Sequence, residues 1–197
     1  RVLYISNTTE LRTVYSRAEL LALRKVCDEN GLYLYCDGAR LGCAMAVSDA
    51  SYADYAAACD AFTIGGTKNG LLFGEALVLT NPTLMPHFRR CMKQQGAMLA
   101  KGRLLGVQYC AVLENGLYLQ LAQQAMRSAT RLAEGLRQLR LPMLIDSPTN
   151  QLFPIVPNAV IERLQQQVSF EIWGPVDERR SCIRFVTAWH TTEAEVD

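Results

Sequence analysis

The stretches LYLYCDGARL, residues 32–41, and AFTIGGTKNG, residues 61–70, decide the fold. Each opens with a short apolar run that predicts a buried strand, and polar or glycine-rich sequence then ends each strand. In an open parallel sheet, ligands bind beyond the carboxyl ends of the strands. The residues that follow these two runs are therefore the first place to look for a functional site.

Helical sequence separates the predicted strands. Ahead of the first stretch, RVLYIS at residues 1–6 predicts another strand, and a capping box of Ser16 with Glu19, closed by Gly31, predicts a helix between the two. Strands joined by a helix form a β-α-β unit, which gives parallel strands and a right-handed crossover. Ala-rich sequence predicts a further helix at residues 52–59.

The pattern changes beyond Pro82. Three helices are predicted at residues 83–94, 97–115 and 117–140, and the last has apolar residues every three or four positions, which indicates core packing. The elements predicted after Pro142 are strands at 143–145, 152–156, 168–173 and 182–188 and a helix at 158–166. This order is typical of an α+β layer.

The predicted fold class is thus α/β. A strand at residues 73–80 completes the predicted sheet of a large domain, residues 1–115, and that sheet is mainly parallel. A connecting helix and a small C-terminal α+β domain, residues 116–197, follow it.

Composition excludes several classes of protein. Half of the 197 residues are hydrophobic and 20% are charged, which is typical of a globular chain, and the net charge of +1 argues against nucleic acid as a partner. No run reaches the roughly 18 apolar residues of a membrane helix. The seven cysteines, an odd number without a C-x-x-C pair, predict thiols in a reducing cytoplasmic compartment and no metal site.

Asp37 follows the first decisive strand directly. A carboxylate at the end of an apolar strand is costly to desolvate unless a cation or an N–H donor meets it. Arg40, three residues on, is a candidate partner. The local sequence leaves two interpretations open, a structural Asp–Arg pair that caps a turn and a functional acid.

Lys68 follows the second decisive strand, with glycines on both sides. Such a lysine is a candidate nucleophile or anion contact. The spacing does not fit a phosphate-binding loop, and no G-x-G-x-x-G follows any strand. An acid and a lysine at the ends of neighbouring parallel strands are the polar groups that a pyridoxal phosphate site requires, one to hold the ring nitrogen protonated and one to form a Schiff base.

The motifs CDGARL at 36–41, GGTKNG at 65–70 and GEA at 74–76 resemble those of the threonine aldolase and β-eliminating lyase family of fold-type-I pyridoxal phosphate enzymes. The resemblance extends over essentially the whole chain. It implies that the large domain is part of an aspartate-aminotransferase-type fold.

The resemblance also implies residue roles. Lys68 matches the Schiff-base lysine and Asp37 the partner of the pyridinium nitrogen. Thr67 is matched to the cofactor site, as is Lys93, for which a solvated helix charge is the alternative. Arg40 matches an arginine near the substrate carboxylate.

Arg184 matches the small-domain arginine that grips the same carboxylate, a task that suits the planar guanidinium. The implied reaction cleaves the Cα–Cβ bond of a β-hydroxy-α-amino acid, with L-threonine or L-allo-threonine giving glycine and acetaldehyde. The implied assembly is a homodimer or homotetramer. The alternatives are a non-catalytic or degenerate domain of this family and a β-eliminating lyase or racemase that uses the same cofactor.

The sequence departs from the family at several positions. Relatives have a stretch ahead of RVLYIS that supplies a phosphate-binding loop and a ring-stacking histidine, so we expect an N-terminal part to be missing. His87 and His190 do not match that histidine. Arg12 stands where relatives commonly have glycine, and a capping box begins at Thr192, close to the end of the chain, so truncation is expected there too.

Overall fold

The computed structural model describes residues 1–11 and 13–197, so Arg12 lies outside the described residues. The first half of the chain forms a four-stranded sheet, with the strand order β1 (Val2–Ser6), β2 (Tyr33–Asp37), β3 (Ala61–Gly65) and β4 (Glu75–Leu79). β1, β2 and β3 are parallel, as predicted, whereas β4 is antiparallel to β3. The antiparallel direction follows from the short connection between β3 and β4, since a parallel return needs a crossover of a dozen residues or more.

Helices connect the parallel strands. α1 (Arg17–Asn30) begins at the predicted capping box of Ser16 and Glu19 and ends at Gly31, whose φ of 61° is left-handed. α2 (Leu41–Val47) was not predicted, since no side chain caps its start. α3 (Tyr52–Ala58) confirms the predicted Ala-rich helix.

The middle of the chain is helical, with shorter helices than predicted. A 3₁₀ turn at Pro82–Leu84 precedes α4 (Phe88–Gln94), so one helix over 83–94 was wrong. Pro86 has no N–H to continue the helical hydrogen bonds, and His87 takes a left-handed φ of 62°, so α4 begins only at Phe88. α5 (Arg103–Glu114) and α6 (Leu117–Gln138) follow.

A second sheet is built around β8 (Arg180–Val186), which pairs antiparallel with β5 (Gln151–Leu152), β6 (Ile155–Pro157) and β7 (Glu171–Pro175). The helices of this part are α7 (Asn158–Leu164) and α8 (Glu193–Val196). The predicted strand at 143–145 is reduced to an isolated bridge between Met143 and Pro154.

The main core lies between the first sheet and its helices. Leu20 of α1, Leu34 of β2 and Tyr55 of α3 are fully buried there. The seven cysteines are free thiols. Among the described residues, no helix combines the length and the apolar character that crossing a bilayer requires.

Candidate active site

The carboxyl end of β2 presents Asp37. Its Oδ2 accepts a hydrogen bond from the Tyr4 hydroxyl at 2.6 Å, and its Oδ1 accepts one from the backbone N–H of Ala39 at 2.9 Å. A Cβ on Gly38 would lie 2.0 Å from the Thr63 carbonyl oxygen. Glycine is therefore required at position 38 for the loop after β2 to pass against β3.

The carboxyl end of β3 presents Lys68 on a tight loop. The Gly66 N–H donates to the Gly74 carbonyl at 3.0 Å, which closes the loop. Inside the loop, the buried Asn69 side chain donates from Nδ2 to Gly65 O at 2.8 Å and to Ala39 O at 3.1 Å. Asn69 thus joins the loop after β3 to the loop after β2.

Three of the predicted residues lie together around a cavity of about 160 Å³, namely Asp37, Arg40 and Lys68. Parallel pairing explains the meeting, because it brings the carboxyl ends of β2 and β3 to one edge of the sheet. Thr67 lines an adjoining cavity of about 310 Å³, and Lys68 lines both.

A larger cavity, about 520 Å³, lies along α6 and contains none of the predicted residues. The Arg131 guanidinium on its wall pairs with Glu193 at 3.1 Å and with Asp197 at 2.7 Å. We place the candidate site at the smaller cavity because the sheet edge gathers an acid and an amine there.

The other two predicted residues lie elsewhere. Arg184 is on β8, where its guanidinium pairs with the Glu171 carboxylate and lies over the Trp173 ring, 5.4 Å from the centroid. Lys93 is exposed in the last turn of α4. Neither residue lines the cavity that Asp37 shares with Lys68.

Residues of β1 and the segment after it complete the cavity wall, and the sequence analysis missed them. They are Ser6, Thr8 and Glu10 at the wall, and Tyr4, which is hydrogen-bonded to Asp37. The predicted parallel pairing of β1 with β2 was a partial signal, because it brings the carboxyl ends of both strands to one edge of the sheet. The structure places Ser6 opposite Asp37 at that edge.

The Tyr4–Asp37 hydrogen bond has an electrostatic consequence. Donating to the carboxylate raises the pKa of Tyr4, and partial burial of the phenol adds to the effect. The phenol therefore remains a donor, and two donors fix the orientation of the Asp37 carboxylate.

Comparison with known proteins gives consistent matches. The sequence matches the beta-eliminating lyase family over residues 1–159. It is 36% identical to a low specificity L-threonine aldolase of Pseudomonas aeruginosa, over 84% of this chain and 46% of that protein. The chain spans about half the length of the curated relatives it matches.

One solved structure shows the same relationship, and a more distant one shows the same fold. A Leishmania major threonine aldolase superposes with a TM-score of 0.97 at 39% identity, over 100% of this chain and 58% of that one. A Sphingomonas wittichii serine palmitoyltransferase, 12% identical, superposes with a TM-score of 0.68 over 99% of this chain and 51% of that one. These matches confirm the predicted fold class, that of fold-type-I pyridoxal phosphate enzymes.

Proposed function

The chain belongs to the beta-eliminating lyase family, as its motifs predicted, and from this premise we propose that it carries the site of a pyridoxal phosphate-dependent aldehyde-lyase. The proposed reaction cleaves the Cα–Cβ bond of L-threonine or L-allo-threonine to glycine and acetaldehyde. The observation that carries the proposal is the cavity at which Asp37 and Lys68 meet. A cytoplasmic homodimer or homotetramer is part of the same proposal.

The residues around the cavity fit this cofactor. Asp37 offers a carboxylate and Lys68 an amine, while the buried hydroxyl of Thr8 has no hydrogen-bond partner among the described residues. When bound, pyridoxal phosphate supplies an electron sink for the pair released by the broken bond. In the proposed arrangement, Lys68 attaches the cofactor through Nζ, and Thr67 contacts it from the adjoining cavity.

Asp37 has an electrostatic role in this proposal. A carboxylate beside the ring nitrogen raises the pKa of that nitrogen and keeps it protonated. Two donors, the Tyr4 hydroxyl and the Ala39 N–H, fix the orientation of the Asp37 carboxylate. The Asp–Arg alternative gives Arg40 a structural role, whereas the proposal assigns the Arg40 guanidinium to the substrate carboxylate.

Arg184 is proposed as a second contact for the substrate carboxylate. Its Nη2 is paired with the Glu171 carboxylate, and the guanidinium has further N–H donors for a second carboxylate. Lys93 is the other candidate contact, for the cofactor phosphate, but it is exposed in the last turn of α4 and lines neither cavity. A solvated charge near the helix C-terminus is the simpler account of Lys93.

Borohydride trapping tests the proposal. Protein mixed with pyridoxal phosphate should turn yellow, and borohydride should then fix the cofactor's mass on Lys68. The matched control is Lys25→Ala, at an exposed lysine that pairs with Glu29 on α1, and it should retain the adduct that Lys68→Ala loses. A wild-type chain without an adduct on Lys68 would contradict the proposal and favour the non-catalytic alternative.

The reaction itself is tested by its products. Acetaldehyde released from threonine supports the aldolase. Ammonia and a keto acid, without acetaldehyde, would instead indicate a β-eliminating lyase, and inversion of the amino acid would indicate a racemase.

A further inference from the structure

Thr8 is a buried side chain with an unused hydroxyl. The residue is 4% exposed and lines the cavity shared by Asp37 and Lys68. Among residues 1–11 and 13–197, no donor or acceptor meets its Oγ1. Buried hydroxyls are hydrogen-bonded in the large majority of cases, so an exception calls for an explanation.

The hydroxyl groups of the other buried threonines are hydrogen-bonded. Thr63 accepts from the Gly38 N–H at 2.9 Å, Thr149 shares a hydrogen bond with Ser147 at 3.0 Å, and Thr187 donates to the Ala125 carbonyl at 2.7 Å. Thr8 therefore differs from residues of the same type and the same burial, and what distinguishes it is its place on the cavity wall.

The backbone on both sides of Thr8 is anchored. The Asn7 N–H donates to the Asp37 carbonyl at 2.9 Å, and the Asn7 side chain donates to the Tyr55 hydroxyl at 2.6 Å. On the other side, the Thr9 N–H donates to the Thr13 carbonyl at 2.9 Å. These bonds hold Thr8 at the cavity, although its hydroxyl gains no partner there.

We propose that the Thr8 hydroxyl is a hydrogen-bond contact for an oxygen atom of the ligand held between Asp37 and Lys68. This inference rests on the proposed function. The oxygen belongs to the cofactor or to the amino-acid substrate, and both offer acceptors that suit a hydroxyl donor. Leaving the hydroxyl unpaired destabilises the ligand-free chain, and this cost is relieved on binding.

Isosteric variants test the contact. Thr8→Val removes only the hydroxyl, Thr8→Ser keeps it, and Thr187→Val is the control at a paired hydroxyl. Without ligand, Thr8→Val should melt about 2–4 °C higher than wild type, because an unpaired buried hydroxyl is removed, whereas Thr187→Val should melt lower. A fall in the melting temperature of Thr8→Val would overturn the proposal.

Ligand binding is the second readout. Thr8→Val should bind pyridoxal phosphate about tenfold more weakly, or else raise the KM for threonine about tenfold at unchanged cofactor affinity. The first result assigns the contact to the cofactor and the second to the substrate. Thr8→Ser should restore either value to within about threefold, and Thr187→Val should change neither.

Binding of pyridoxal phosphate to the wild-type chain distinguishes failure of the Thr8 contact from failure of the proposed function. If wild-type chain binds pyridoxal phosphate and Thr8→Val matches it in affinity and in KM, only the Thr8 contact is overturned. If wild-type chain binds no pyridoxal phosphate, the proposed function and the contact are overturned together.

Discussion

The two sheets differ in where their charged residues lie. In the first sheet, Asp37 and Lys68 follow parallel strands and face a common cavity. In the second sheet, Glu171 and Arg184 are directly opposite each other on β7 and β8 and form an ion pair. Parallel strands collect polar groups at one edge, whereas antiparallel neighbours place opposite charges side by side. Strand direction thus separates groups presented to a cavity from groups paired with one another.

The largest effect is expected from removing the charge of Asp37 at the carboxyl edge of the first sheet. Asp37→Asn keeps the shape of the side chain but loses the charge proposed to keep the cofactor ring nitrogen protonated, so kcat/KM for threonine should fall at least about a thousandfold. The borohydride adduct on Lys68 should persist, which shows that the variant folds and binds the cofactor.

Asp177→Asn is the matched control, since Asp177 pairs with Arg180 beside the second sheet. Its kcat/KM should be unchanged. If Asp37→Asn retained wild-type activity, Asp37 would have a purely structural role, like the paired charges of the second sheet.

A smaller loss, in stability, should follow from crowding the first edge. Gly38→Ala places a Cβ 2.0 Å from the Thr63 carbonyl oxygen, so β2 and β3 must separate. The expected cost is about 3 kcal/mol, or roughly 6–12 °C in melting temperature. Gly174→Ala on β7 meets no atom within 4 Å and should cost less than about 1 kcal/mol. Equal losses would mean that the two edges are packed alike.

Local sequence signals predicted most of the first sheet. Ser16, Glu19 and Gly31 determine both ends of α1 by local hydrogen bonds, and the strands Val2–Ser6 and Tyr33–Asp37 are apolar runs. Short helices without a capping side chain, such as α2, carry no such signal, and the sequence analysis missed that one. The direction of β4 could have been predicted, because the connection from Gly65 to Glu75 is too short for a parallel crossover.

The candidate site was predictable only in part. Asp37, Arg40 and Lys68 lie at or shortly after the carboxyl ends of β2 and β3, and parallel strands bring these ends to one edge of the sheet. Tyr4 and Thr8 reach the site only through the pairing of β1 with β2, a long-range contact. The sequence alone also could not place Arg184, whose partner Glu171 is set by the register of β7 against β8.

A third, smaller effect tests whether the Arg184 pair is purely structural. Arg184→Gln should raise the KM for threonine about tenfold, because it removes the proposed charge-assisted contact to the substrate carboxylate, while the adduct on Lys68 forms as in wild type. Arg180→Gln, on the same strand, is the control and should leave KM unchanged. An unchanged KM in Arg184→Gln would assign this pair to stability alone.

The smallest effect concerns pH and the opposite end of β3. Burial of Asp60 disfavours its ionised form, but hydrogen bonds from Asn81 (2.6 Å), Arg24 (2.7 Å) and the Leu34 N–H (2.7 Å) outweigh burial and lower the pKa of Asp60. An acid whose folded pKa lies below its unfolded value of about 3.9 stabilises the fold above that pH, and this contribution is lost as the pH falls through the folded pKa.

Melting temperatures measured from pH 7 down to about pH 3 test this linkage. Asp60→Asn should be less stable than wild type at pH 7, and the difference should shrink as the pH falls below about 4. Asp177, whose pKa is lowered by hydrogen bonds from Arg180 and the Arg179 N–H, is exposed to solvent, so Asp177→Asn should show a weaker dependence. A pH-independent gap for Asp60→Asn would mean that its loss comes from packing. A difference in melting temperature that shrinks would instead show that the paired charge of Asp60 stabilises the fold at the amino end of β3. The carboxyl end of the same strand leads to Lys68, which lines the cavity.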